Sequence, residues 1–138
     1  MTDMDRRSTL AVGFVAASFL ALPKSAVAET YGSDEGKELA PGVRQVNLGK
    51  REAMVPNYKT VSMRDIVYQP GASTANPAMG NDMVCHCLEG DLTITQGGGM
   101  EFKAKKGDVW SCAKGMPENG KNTGNTVAIM RVIDLLPA

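Results

Sequence analysis

The sequence is poor in the residues that usually announce a chemistry. Among 138 residues there is one histidine, and there are only three cysteines, one tryptophan, three tyrosines and three phenylalanines. A single imidazole excludes any site built from several histidines within one subunit. Lys and Arg number 15 against 15 Asp and Glu, a net charge of +0. With no basic block and few aromatics, a nucleic-acid surface is excluded. No amphipathic basic stretch of the kind that lies on membranes is present. Three cysteines are too few for a disulfide-stapled scaffold.

The longest apolar run, LAVGFVAASFLAL (10–22), is about 13 residues, short of the roughly 20 a spanning helix needs. It follows Arg6 and Arg7 and precedes Pro23 and Ala26-Val27-Ala28. That order is an export signal with its cleavage site, and residues 1–28 are read as a signal peptide. DRRSTL resembles a twin-arginine signal, with the ordinary secretory route as the alternative. The expected location is periplasmic or secreted, with no membrane attachment after cleavage. Without residues 1–28 the chain has one more acidic than basic group. An odd cysteine count in an oxidising compartment leaves a free thiol, a metal ligand or an intermolecular bridge.

ETYGSDEGKELAPG (29–42) is polar and reads as a loose arm. Short runs separated by turn signals follow, and residues 29–57 are assigned to the arm and a first strand. YKTVSMRDIVYQPGA (58–72) carries apolar Val61, Met63, Ile66 and Tyr68 and ends at Gln69-Pro70-Gly71. DMVCHCLEG (82–90), LTIT (92–95), MEFKAK (100–105), VWSCA (109–113) and VAIMRVIDLL (127–136) complete the set. Spacing of about 8 to 12 residues, with glycine-rich turns and no helical stripe, predicts an all-β sandwich or barrel.

The turns carry a more specific pattern. Gly71 and Gly90 bracket a span that matches the minimum spacing of the first motif of cupins. Gly107, Gly115 and Asn122 fall on two glycines and the asparagine of the second. From Val61 to Leu136 the chain resembles a cupin, which implies a single-domain jelly-roll barrel over residues 58–138. By analogy it also implies a homodimer. The family usually binds a divalent metal through three His and one Glu. Here the first two histidine positions fall on Pro77 and Met79, or on Asn76 and Ala78 if the loop is shifted by one. The glutamate position falls on Met83 and the last histidine position on Glu118. Thioethers do not suit the iron or manganese of such sites.

In a regular strand side chains alternate. Met83, Cys85 and Cys87 then share the inner face, and Val84, His86 and Leu88 the outer one; a bulge after Met83 would invert this. Two readings follow. Sulfur side chains fill a barrel core readily. Alternatively Met79, Met83 and Cys85, with Glu118, form a soft site for a single metal ion such as copper. Cys85 and Cys87 are about 6.5–7 Å apart by strand rise, at or beyond bridging reach; Cys112 could meet either. A reactive thiol needs a neighbouring base or cation, for which only Lys114 is at hand. Glu118 is read as a ligand, a general base or a substrate clamp, or as a solvated loop residue. Trp110 and Tyr68 belong to the core or a pocket rim, and Asn122 holds a turn.

The first functional reading is therefore a small-ligand-binding barrel lacking the three-His/one-Glu site, with Asn76, Met79, Met83, Cys85, Cys87 and Glu118 at the ligand. A soft-metal protein with Cys/Met ligands is the second. The third is a metal-dependent oxygenase or isomerase with an unusual ligand set.

Overall fold

The computed structural model describes residues 30–137. The proposed signal peptide lies outside the described residues. Ten strands follow in order: β1 (Lys37–Ala40), β2 (Val43–Glu52), β3 (Tyr58–Tyr68), β4 (Ser73–Asn76), β5 (Asp82–Glu89), β6 (Asp91–Gln96), β7 (Met100–Lys105), β8 (Val109–Cys112), β9 (Glu118–Asn122) and β10 (Ala128–Pro137). They form a six-stranded sheet, β1-β2-β3-β10-β5-β8, and a four-stranded sheet, β4-β9-β6-β7. Every pairing is antiparallel. This is the expected all-β cupin jelly roll. The stretch read as a loose arm departs from expectation: Lys37–Ala40 pairs with β2, Lys37 opposite Gln45 and Glu38 opposite Arg44.

Alternation puts one face of each sheet into a common core. Val43, Ile66, Tyr68, Met83, Cys85, Cys87, Leu92, Ile94, Ala104, Cys112, Met130 and Val132 form it. On β5 the buried residues are Met83, Cys85 and Cys87, and the residues between them are half-buried. The strand is regular in its pairing with β8 from Met83 to His86. The apolar pattern of β3 changes parity between Met63 and Ile66, so the core face is Ile66 and Tyr68, and Val61 and Met63 fall on the other face. The neighbouring strand shifts register nearby, between Asn47 and Lys50.

Two of the motif residues have plain structural duties. Gly90 has φ +79°, and a Cβ there would lie 2.8 Å from both the Ala128 Cα and the Val127 carbonyl. Only glycine fits that turn. Asn122, 1% exposed, donates from Nδ2 to the carbonyls of Tyr68 (3.0 Å) and Thr126 (2.8 Å) and accepts from the Gly124 N–H (2.9 Å). It ties β9 to the end of β3 and to the turn before β10, as side-chain amides do in turns.

Candidate functional site

Strands β3, β5, β6, β9 and β10 and the β4–β5 loop enclose a cavity of about 420 Å³. Small-molecule sites occupy roughly 300–1,000 Å³. Ile66, Met83, Ile94, Met130 and Val132 give it an apolar floor, and Arg64, Tyr68, Thr74, Asn76, Asn81 and Glu118 supply polar groups. The loop is fixed to the β8–β9 connection by backbone bonds. The Met79 N–H donates to the Met116 carbonyl (2.9 Å), and the Gly115 N–H donates to the Met79 carbonyl (2.7 Å). Met79 is thereby brought to the cavity wall with Asn76 and Ala78.

Of the six expected site residues, Asn76, Met79, Met83 and Glu118 line this cavity. Cys85 and Cys87 do not. Both thiols are 0% exposed and packed in the core. Cys87 Sγ points back to the carbonyls of Glu89 (3.5 Å) and Gly90 (3.6 Å). All three cysteines are free, so the bridge to Cys112 considered above is not formed. Burial, reinforced by the Glu118 charge, pushes the Cys85 thiol far above its ordinary value. The same causes push Cys112 up to about 11, with its hydrogen bond to Glu118 adding to the shift. Cys87 is pushed up to about 11, by burial first and then by nearby carboxylates led by Asp108. These thiols stay protonated at neutral pH and are poor nucleophiles. The backbone N–H of Lys114 donates to Asp82 Oδ1 at 2.8 Å. Asp82 also accepts from the Tyr58 hydroxyl, the main reason its carboxyl is held below its ordinary range.

Glu118 is 5% exposed, not a solvated loop residue. It sits opposite Asn76 on one side and Gln96 on the other. Its Oε2 accepts from Trp110 Nε1 at 2.8 Å and from Gln96 Nε2 at 3.2 Å. Trp110 is itself held edge-on to Phe102, ring centroids 5.7 Å apart. Sequence motifs mark position 118 but say nothing of the two donors, which come from β8 and the end of β6. Across the cavity, Tyr68 bonds Thr74 Oγ1 at 3.0 Å. Burial is the chief reason its hydroxyl is pushed up to about 12.

Arg64 was not anticipated. Its Nε and Nη2 donate to Asp134 at 2.8 and 3.2 Å, and its Nη1 donates to Gln45 Oε1 at 2.9 Å. Asn81 Nδ2 adds a bond to Asp134 Oδ1 at 3.0 Å. A bidentate Arg–carboxylate pair is a strong, directed contact, and it closes one side of the cavity.

The metal that the resemblance implies does not fit these residues. Two ligand positions are thioethers, which hard or borderline divalent ions avoid. The one carboxylate at a ligand position already accepts from Trp110 and Gln96. Cys85, of the proposed copper set, does not line the cavity that Met79, Met83 and Glu118 share; it is packed in the core cluster that includes Met83. Among the described residues, no three His, Cys, Asp or Glu side chains cluster as a metal-holding group.

No protein-family model matches the sequence, and no curated protein matches it. Solved structures do. The cupin domain of Schizosaccharomyces pombe Cnp3 is 21% identical, with 72% of this chain and 69% of that one covered at a TM-score of 0.58. An RmlC-like cupin from Shewanella frigidimarina is 17% identical, covering 78% and 88% at 0.59. A predicted oxalate decarboxylase from Thermotoga maritima is 27% identical, covering 68% and 81% at 0.54. This likeness establishes the fold of a small cupin domain.

Proposed function

We propose that this chain is an exported jelly-roll protein that binds a small organic ligand in its barrel, without the three-His/one-Glu metal site that the cupin resemblance implies. One observation carries the reading. Three positions that would hold a metal, Met79, Met83 and Glu118, converge on a cavity of about 420 Å³, yet they offer two thioethers and a carboxylate bound by neutral donors. The protein's own contacts shape the cavity. Its loop is fixed by backbone hydrogen bonds and its far wall by the Arg64–Asp134 pair. A preformed pocket of this size in which polar side chains converge over apolar ones can orient a small molecule.

The decarboxylase named for the Thermotoga structure is a poor guide to the ligand. A dicarboxylate is best held by a cation or metal, and among the described residues the one basic side chain lining the cavity is already paired with Asp134. Native mass spectrometry of protein collected from the exported fraction, without chelator, tests the proposal. The expected result is an organic adduct released on denaturation, or an apo mass that shifts with small-molecule libraries. One equivalent of iron, manganese or copper lost in Glu118→Ala or Met83→Ala would replace it with a metalloprotein.

A further inference from the structure

The charge inside the cavity is unbalanced. Two charged side chains line it, Arg64 and Glu118. Arg64 is paired: its Nε and Nη2 donate to Asp134 and its Nη1 to Gln45, three of its five N–H donors. Guanidinium and carboxylate there cancel. Glu118 has no such counterpart. Its two side-chain donors at Oε2, Trp110 and Gln96, are neutral, as is the Cys112 thiol. Among the described residues no Lys, Arg or His nitrogen lies within ion-pair distance of it. A carboxylate 5% exposed, left without a positive partner, is expensive to keep. A ligand bringing a positive charge would supply what the fold omits.

The surroundings suit such a ligand. Met79 and Met83 present polarizable thioethers beside Glu118 in the same cavity, and the Tyr68 ring is part of its wall. Aromatic faces and soft apolar groups are favourable contacts for alkylammonium groups. An anion, by contrast, meets Glu118 with no free cation to offset it. We infer that the cavity selects a small organic cation, an amine whose ammonium group bonds Glu118 while its carbon chain lies on the apolar floor. This inference rests on the ligand-binding reading and adds the ligand's class.

Trp110 makes the test direct. It is the sole tryptophan, and its Nε1 is 2.8 Å from Glu118 Oε2, so its fluorescence reports on that carboxylate. The purified protein is titrated with n-butylamine, n-butanol and butyrate, equal in chain length and differing in charge. Butylamine is expected to give a saturable change with a Kd at least about tenfold below that of butanol, the scale of one hydrogen bond to a charged group. Butyrate is expected to give none. Glu118→Gln keeps an acceptor for Trp110 and should erase the preference. Ala78→Phe, on the exposed loop at the cavity wall, should block all binding. If butanol or butyrate saturates as tightly as butylamine, and Ala78→Phe blocks it, the cavity binds ligands but the cation assignment is wrong. A preference for amine that survives Glu118→Gln also overturns the assignment. No saturable response to any of the three probes overturns both the assignment and the cavity's role.

Discussion

Gly120 lies in the cavity wall with no room for a side chain, and Gly120→Ala tests that packing. It lies on β9 between Thr74 of β4 and Ile94 of β6. A Cβ there would sit 2.9 Å from the Tyr68 hydroxyl oxygen, 3.4 Å from its Cζ and 3.6 Å from Ile94 Cδ1. Tyr68 is 1% exposed and bonded to Thr74, so it cannot swing away without repacking. Overpacking of this kind costs about 1–3 kcal/mol. Replacing a strand glycine returns about 0.5–1 kcal/mol. The net is a loss of about 1–2 kcal/mol, or about 5–10 °C in Tm for a domain of this size. Tyr68→Phe removes the clashing oxygen and itself costs about 1 kcal/mol through the lost Thr74 bond. In that background Gly120→Ala should be close to neutral, a coupling of about 1–2 kcal/mol. Gly49→Ala, in strand β2 with no atom within 4 Å of its Cβ, is the control and should gain about 0.5–1 kcal/mol. Urea unfolding followed by Trp110 fluorescence measures all five proteins. An equal cost for Gly120→Ala with and without the Tyr68 hydroxyl would refute the reasoning.

Two further outcomes are expected. Trp110→Phe removes a donor from a buried carboxylate and should destabilise by about 1–3 kcal/mol; circular dichroism melts should show a smaller loss in a Glu118→Gln background, where no charge is left under-bonded. Alkaline pH should unfold the reduced protein earlier than its surface charges alone would. Cys87 and Cys112 are held at about 11 against an ordinary 9. Their folded values are raised, so their contribution is whole below pH 9 and is lost as pH rises toward 11. Tm measured from pH 8 to 11 with reductant should fall through that window, and less steeply in Cys112→Ala.

Much of this arrangement was legible because it depends on neighbours in sequence. The alternation in DMVCHC decides which side chains of β5 enter the barrel, and no bulge intervenes to invert it. The turn glycines set the motif spacing, and Gly90 shows why: the chain passes within 2.8 Å of Ala128. The remaining features depend on contacts distant in sequence. Arg64 and Asp134 are 70 residues apart and meet only because β3 pairs with β10. Whether Glu118 is solvated or buried was undecidable from MPENGKN, since the answer lies with Gln96, 22 positions away, and with Trp110 on β8. Cys85 could be placed on the inner face but not outside the cavity, because that depends on where the empty volume falls. The strand at Lys37–Ala40 was hidden by a polar sequence that pairs at a sheet edge, where little apolar patterning is needed.

The central claim is that the residues at the family's metal positions form an organic site and not a metal site. The most direct measurement is elemental analysis after anaerobic incubation with Fe(II), Mn(II), Zn(II) or Cu(I) and desalting. The account predicts that no ion is retained at one equivalent per chain. One tightly held equivalent, abolished by Glu118→Ala or by Met83→Ala, would contradict it.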